Sequence, residues 1–308
     1  MVVIGDLHLQ EKWIKRQQTE RAIAWLKEQE PVKAASILVL LGDLFEVAYP
    51  SVDLVVFYFQ LFKDWKDKTI YILEGNHDCN LETNALDFFK TFDNVKVIKT
   101  AQEIEIEGKK CLFLPHYDYE NTDKEPMHIA YSAMSGTYDY IFAHVTDETQ
   151  CFGGNLFCNL SNIKGQRLFG HVHSPDVQKG GSYLGSIIKN SSTEKDDQKY
   201  YAVIDDAGYH LMEVPSFMEY ETVRYGDDVV CKDKLAFINV LDAPTKAEAE
   251  AYYETKFPNS RCNKVITKRQ QMLSTEVVNT ESEESNFETF CKEKQVSEEV
   301  QDVCKKVL

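Results

Sequence analysis

The chain has 308 residues, 43% of them hydrophobic, with a net charge of −16 and a pI near 5.0. That length supports one large domain and a small one, while the acidity excludes a free-standing, non-specific DNA binder without excluding a nuclease whose carboxylates hold metal. No stretch reaches the roughly 18 to 20 apolar residues needed to span a bilayer, and eight scattered cysteines without a C-x-x-C pair point to buried free thiols, not disulfides or zinc.

The N-terminus opens on an apolar run, 2–4, with no basic segment and no small-residue cleavage site, so it reads as a strand and not as a signal peptide. A helical pattern over 17–30 follows, with Ala22, Ile23, Trp25 and Leu26 on its inner side. Strand 37–41, helix 51–65 and strand 70–73 come next, then a hairpin over 103–114 that turns at Gly108. Apolar runs at 140–143, 167–169, 183–188, 200–205 and 209–214 predict further strands, with a polar loop at 190–198. Strand–helix alternation of this kind predicts an α/β layered fold, in which chemistry gathers at the carboxyl ends of the strands.

The texture changes near Pro215. Strands at 222–225, 235–241 and 264–268 enclose a helix over 245–256, which opens with Thr245 and has Glu248 at the capping-box offset. The expected organisation is a main domain over 1–216, a small α+β domain over 217–272, an acidic linker over 273–286 and a terminal helix over 287–308. The helix carries a stripe of Val296, Val300, Val303 and Val307, an apolar face that must be buried somewhere.

Five short segments hold the chemistry: Gly5-Asp6-Leu7-His8, Gly42-Asp43-Leu44-Phe45-Glu46, Gly75-Asn76-His77-Asp78, Ala143-His144-Val145 and Gly170-His171-Val172-His173. Each follows an apolar strand, and four begin with glycine, which permits a sharp turn at the strand tip. Asp-x-His and His-x-His put two side chains on one side of an extended segment, because the strand period is two. Mixed imidazole and carboxylate ligands suit Mn²⁺, Fe or Zn over Ca²⁺. A carboxylate such as Asp43 can bridge two cations about 3.5 to 4 Å apart and so support hydrolysis of a phosphoester. Any one of these segments alone is an ordinary turn or loop; five in this order are not.

In this order the segments resemble the signature of the calcineurin-like metallophosphoesterases, over about residues 1–210. The resemblance implies a four-layer β-sandwich flanked by helices, with a dinuclear centre at its edge. It assigns Asp6, His8, Asp43 and His173 to one divalent cation, and Asp43, Asn76, His144 and His171 to the other. Mn²⁺ is the first expectation for both, with Mg²⁺, Fe or Zn as alternatives. His77 corresponds to the general acid, oriented by Asp78. Within the superfamily, Gly42-Asp43-Leu44-Phe45, the segment Tyr183-Leu184-Gly185-Ser186 and the α+β unit are similar to the SbcD-type nuclease subunits of repair and recombination complexes, phage versions included. That likeness implies a DNA substrate, a DNA-facing capping domain, an SMC-like ABC ATPase held by the terminal helix and a homodimer formed through helix 51–65. The default expectation from an N-terminus that does not read as a signal peptide is the cytoplasm, of a cell or of a phage-infected host. The competing expectations are a stand-alone phosphomonoesterase or nucleotide phosphodiesterase of the same fold, and a metal-bearing scaffold without turnover. The acid His77 argues against the last.

Overall fold

The computed structural model describes residues 1–79, 84–117, 125–148, 157–268 and 270. Its first sheet contains β1 (Val2–Ile4), β2 (Ile37–Leu40), β3 (Thr69–Leu73) and β4 (Val95–Ile98), with β9 (Lys199–Asp205) and β10 (Gly208–Val214). The order is β10-β9-β1-β2-β3-β4; the four early strands run parallel, β9 pairs antiparallel with β1, and β10 pairs antiparallel with β9. The second sheet orders β5 (Gln102–Ile106), β6 (Lys109–Leu114), β7 (Gly136–His144) and β8 (Ile163–Gly170) in sequence. Its first pair is an antiparallel hairpin turned by Glu107 and Gly108, both at positive φ. The strands β6, β7 and β8 are parallel.

The central strands β1 and β2 read as unbroken apolar runs because both of their faces are covered. In β1, Val2 and Ile4 face one core and Val3 the other, as a period of two requires. Against the outer face of the first sheet lie α1 (Trp13–Glu28) and α3 (Val52–Asp64), burying Ala22, Ile23, Leu26, Leu54, Tyr58 and Phe62. Between the sheets, Val3, Val39 and Leu73 meet Cys111, Phe113, Phe142 and Leu168. Outside the second sheet, Met127 and Tyr131, from the short helix α4 (Met127–Ser132), cover Leu112, Leu114 and Ile141. The result is the expected layered fold: helix, sheet, sheet, helix. Each fully buried Phe in the middle layer contributes about 1.5–3 kcal/mol of transfer free energy. Cys111 and Cys158 are buried free thiols, which burial pushes up to about 12.

Three local expectations are corrected. The first helix starts at Trp13 and stops at Glu28, then restarts as α2 (Glu30–Ala34). Pro31 has no N–H for the continuing ladder, so it sits in the first turn of a new helix instead. The run 183–188 is not a strand: Tyr183 alone bridges to Phe169, and Gly185 turns the chain at φ +82°. That turn lets Ser186 N–H donate to His173 O (3.1 Å) and Ile187 N–H to Asp6 O (3.2 Å), so the segment packs against the chemistry. Strand β4 was not foreseen; unlike β1 and β2, its apolar run is interrupted, by Lys96.

The described residues divide into two compact units. The larger comprises Met1–Tyr220 and Cys231–Phe237; the smaller comprises Glu221–Val230 and the described residues from Ile238 onward. The second helps form a three-stranded sheet of β11 (Met218–Arg224), β12 (Leu235–Ala243) and β13 (Ser260–Thr267), in that order. The division falls inside β11 and β12 because Met218 and Leu235 pack on Ile14 in the larger unit. The smaller unit has its own helix, α5 (Lys246–Lys256), whose first turn is capped by Thr245 Oγ1 accepting from Glu248 N–H at 3.2 Å. The expected linker at 273–286 and terminal helix at 287–308 lie outside the described residues. Among the described residues, no helix is long and apolar enough to cross a membrane.

Candidate metal centre

Parallel strands deliver the five segments to one place. Asp6 follows β1, Asp43 follows β2, Asn76 follows β3, His144 ends β7, and His171 follows β8. The two sheets are fastened together there. His144 Nδ1 donates to Leu41 O (2.7 Å), and His171 N–H donates to Asp6 Oδ2 (2.9 Å). Leu7 and His8 N–H both donate to Asp43 O, at 3.1 and 2.9 Å.

The local backbone differs from the extended segments that the sequence suggested. His8, Asp43 and His171 hold φ of +46°, +47° and +80°. Left-handed conformations of non-glycine residues cost roughly 1–2 kcal/mol each, and strain of this kind persists only where the surroundings enforce it. Asp6 and His8 therefore meet through a tight turn, not through strand alternation. The glycines also have a different role from the one expected. Only Gly42 needs its positive φ, +106°. At Gly75 the requirement is space: a Cβ there would overlap Asp43 Oδ1 and the Asp43 backbone nitrogen.

All seven expected ligands come together, in two clusters that share Asp43. In the first, His8 Nε2 lies 2.9 Å from His173 Nε2 and 3.6 Å from Asp43 Oδ2, and Asp6, His8 and His173 can offer ligand atoms to one ion. In the second, Asn76 Oδ1 lies 2.9 Å from His144 Nε2 and 2.7 Å from His171 Nδ1, and His144 Nε2 lies 3.3 Å from Asp43 Oδ2. Asp6, His8, Asp43 and His144 are buried, whereas Asn76, His77, His171 and His173 are half-buried and form the open side. Asp6 Oδ1 is buried with no hydrogen-bond partner. An orphaned carboxylate oxygen among converging imidazoles is costly unless a cation satisfies it, so these residues fit a divalent metal.

The electrostatics agree. Burial, the largest single influence, would raise Asp43, but His144, His8 and His77 together outweigh it and hold the carboxyl well below the usual range. Burial likewise opposes charge on His144, and Asp43 raises it all the same. His171 is pushed down to about 3 by burial and then by His144, so its ring is neutral, with lone pairs to give. Burial raises Asp6.

His77 stands beside the first cluster, and its ring, together with His8 and Asp43, could also offer a ligand atom to one ion. Its backbone N–H donates to Asp43 Oδ1 (2.8 Å), and its Nδ1 bonds Glu46 O at 2.8 Å. The expected partner, Asp78, does something else. Its buried carboxylate accepts from Leu44, Phe45 and Gly75 N–H at 3.2, 3.1 and 3.2 Å. It therefore ties the loop after β2 to the loop after β3 and does not orient His77. Burial, then Asp43, pushes Asp78 up to about 7 against those three donors.

Glu46 was quoted in the sequence without a role. Its carbonyl orients His77, and its Oε2 lies 3.1 Å from His8 Nδ1. Its position inside the second segment was the available signal. The sequence model of the calcineurin-like phosphoesterase family matches residues 1–175. No curated protein matches the chain.

Proposed function

The chain belongs to the calcineurin-like phosphoesterase family, whose members use divalent metals to hydrolyse phosphoesters, and within it we propose that this chain is an Mn²⁺-dependent DNA nuclease subunit of the SbcD type. The observation that carries the proposal is the pairing of a complete ligand set with His77, held next to it by Asp43 and Glu46. Hydrolysis of a DNA diester breaks a P–O bond to a sugar oxygen that departs as an alkoxide, a poor leaving group, and an acid at that position answers the need. Two cations bound by these residues would lower the pKa of a water and polarise a phosphoryl oxygen. The protein's own part is the rest. Asp43 holds the two clusters at a fixed spacing. Asn76, His171 and His173 line the open side from which a phosphate enters. His77, with Nδ1 engaged by Glu46 O, turns Nε2 toward the departing oxygen and donates the proton.

Further features support a role in a larger assembly. A second compact unit follows the catalytic one, beyond the matched span, and in this proposal it is the DNA-facing cap. Val52, Val56 and Phe59 on α3 are exposed at 76%, 56% and 44%, a surface suited to a homodimer contact. Residues 287–308 carry the valine stripe that would dock on an SMC-like ABC ATPase.

The test is an Mn²⁺-dependent assay on linear DNA run beside bis(p-nitrophenyl) phosphate and p-nitrophenyl phosphate. The proposal expects DNA to be degraded and the diester to be preferred to the monoester. Hydrolysis of the monoester alone would identify a stand-alone phosphomonoesterase instead, and hydrolysis of small diesters without DNA degradation would favour a nucleotide phosphodiesterase.

A further inference from the structure

A buried ion pair that the sequence pattern did not single out joins the loop after the last histidine pair to the first residue of β9. Glu194 and Lys199 are each 3% exposed, and Lys199 Nζ donates to Glu194 Oε2 at 2.7 Å. A buried pair is expensive to desolvate and is weak evidence for stability. What it touches is therefore informative. Lys199 Nζ also donates to His173 O at 2.9 Å. Glu194 Oε1 lies 3.5 Å from His173 Nδ1. The pair thus holds one residue, a member of the first ligand cluster, by its backbone carbonyl and by its ring.

The ring contact decides which nitrogen is available. His173 Nε2 faces His8 Nε2 in the cluster, and a ligand nitrogen must carry a lone pair, not a proton. The proton then belongs on Nδ1, which needs an acceptor. Two groups compete there: the Asn190 amide nitrogen at 3.4 Å, a donor, and the Glu194 carboxylate, an acceptor. Asn190 alone would favour the unproductive tautomer. A charge-assisted bond is roughly twice as strong as a neutral one, which favours the carboxylate and the Nδ1–H tautomer. Glu194 is itself fixed by Asn190 N–H (3.1 Å) and Ser191 Oγ (3.1 Å) as well as by Lys199.

We propose that Glu194 and Lys199 are positioning residues that fix the tautomer and orientation of His173, and so set the metal affinity of the Asp6–His8–His173 cluster. This rests on the metal-centre reading above. Partners behind ligand histidines typically contribute 10- to 100-fold in metal affinity.

The experiment is Mn²⁺ calorimetry on the full chain, with thermal melts of the chelated protein as the control for folding. Removing Glu194 alone would strand a buried lysine, so the variant is Glu194→Leu with Lys199→Met. One of the two Mn²⁺ sites is expected to weaken about 10- to 100-fold, with the other unchanged. Glu194→Gln with Lys199→Met restores an oxygen acceptor and is expected to recover part of that loss. Long-range ¹H–¹⁵N spectra of the metal-free protein should give an Nδ1–H ring at His173 in the parent and a mixture in the Leu/Met variant. Unchanged Mn²⁺ affinity, or equal weakening of both sites, would overturn the proposal. If the Leu/Met pair does not fold, Glu194→Gln alone carries the test, with a loss of about tenfold expected at one site. A parent that binds no Mn²⁺ would overturn the metal-centre reading itself, and that control separates the two failures.

Discussion

Asp43→Asn is expected to lower turnover on bis(p-nitrophenyl) phosphate by about 10³-fold or more and to reduce bound metal from two ions per chain to at most one. The substitution preserves shape. An amide oxygen can still accept from His77 N–H, where Asp43 Oδ1 accepts at 2.8 Å. What it removes is the charge that faces both clusters, since Asp43 Oδ2 lies 3.6 Å from His8 Nε2 and 3.3 Å from His144 Nε2. Two cations about 3.5–4 Å apart repel strongly in a buried site, and a bridging anion is what offsets that repulsion. Loss of a single preorganised electrostatic contact costs roughly 10²–10³ in rate, and here the contact also maintains the second ion. Metal analysis and steady-state kinetics on the same preparation check it. An Asn variant with two ions and undiminished turnover would remove Asp43 from the centre.

His77→Ala is expected to separate binding from chemistry. Its ring makes a T-shaped contact with His8 at 4.9 Å between centroids, but its Nδ1 is engaged by Glu46 O and not by the ligand clusters. Metal content should therefore stay at the parent level. Turnover on DNA should fall about 10²- to 10⁴-fold, the usual contribution of a general acid. The loss should be much smaller on a p-nitrophenyl diester, because p-nitrophenolate departs without needing a proton. An equal loss on both substrates would mean that His77 acts on something other than the leaving group. Loss of bound metal would make it a ligand.

Much of this was legible because the information is local. Fully buried strands announce themselves as apolar runs, and the five segments at their ends are short and contiguous. Asp6, His8, Asp43, Asn76, His144, His171 and His173 were readable for that reason, and the structure brings them within a few ångströms of one another. What was not legible depends on long-range packing. Asp78 looked like a partner for His77 because it follows directly in sequence. Its carboxylate instead reaches backbone groups 33 and 34 residues away. Glu194 sits in a polar loop with no periodicity and Lys199 opens β9, and the turn at Gly185 packs the chain ahead of them against His173 and Asp6. The same turn explains why 183–188 imitates a strand: the residues are apolar because they are buried beside the centre. Strand alternation also misled on the Asp-x-His pair, since His8 is placed by a left-handed turn that composition does not reveal.

The central claim is that these residues hold catalytic divalent metal. The most direct measurement strips the protein with chelator, reloads it with Mn²⁺, and follows bound metal together with hydrolysis of bis(p-nitrophenyl) phosphate. The stripped protein should be inactive, and activity should return as Mn²⁺ binds, saturating at two ions per chain. Full activity after chelation, or saturating Mn²⁺ with no bound ion and no turnover, would contradict it.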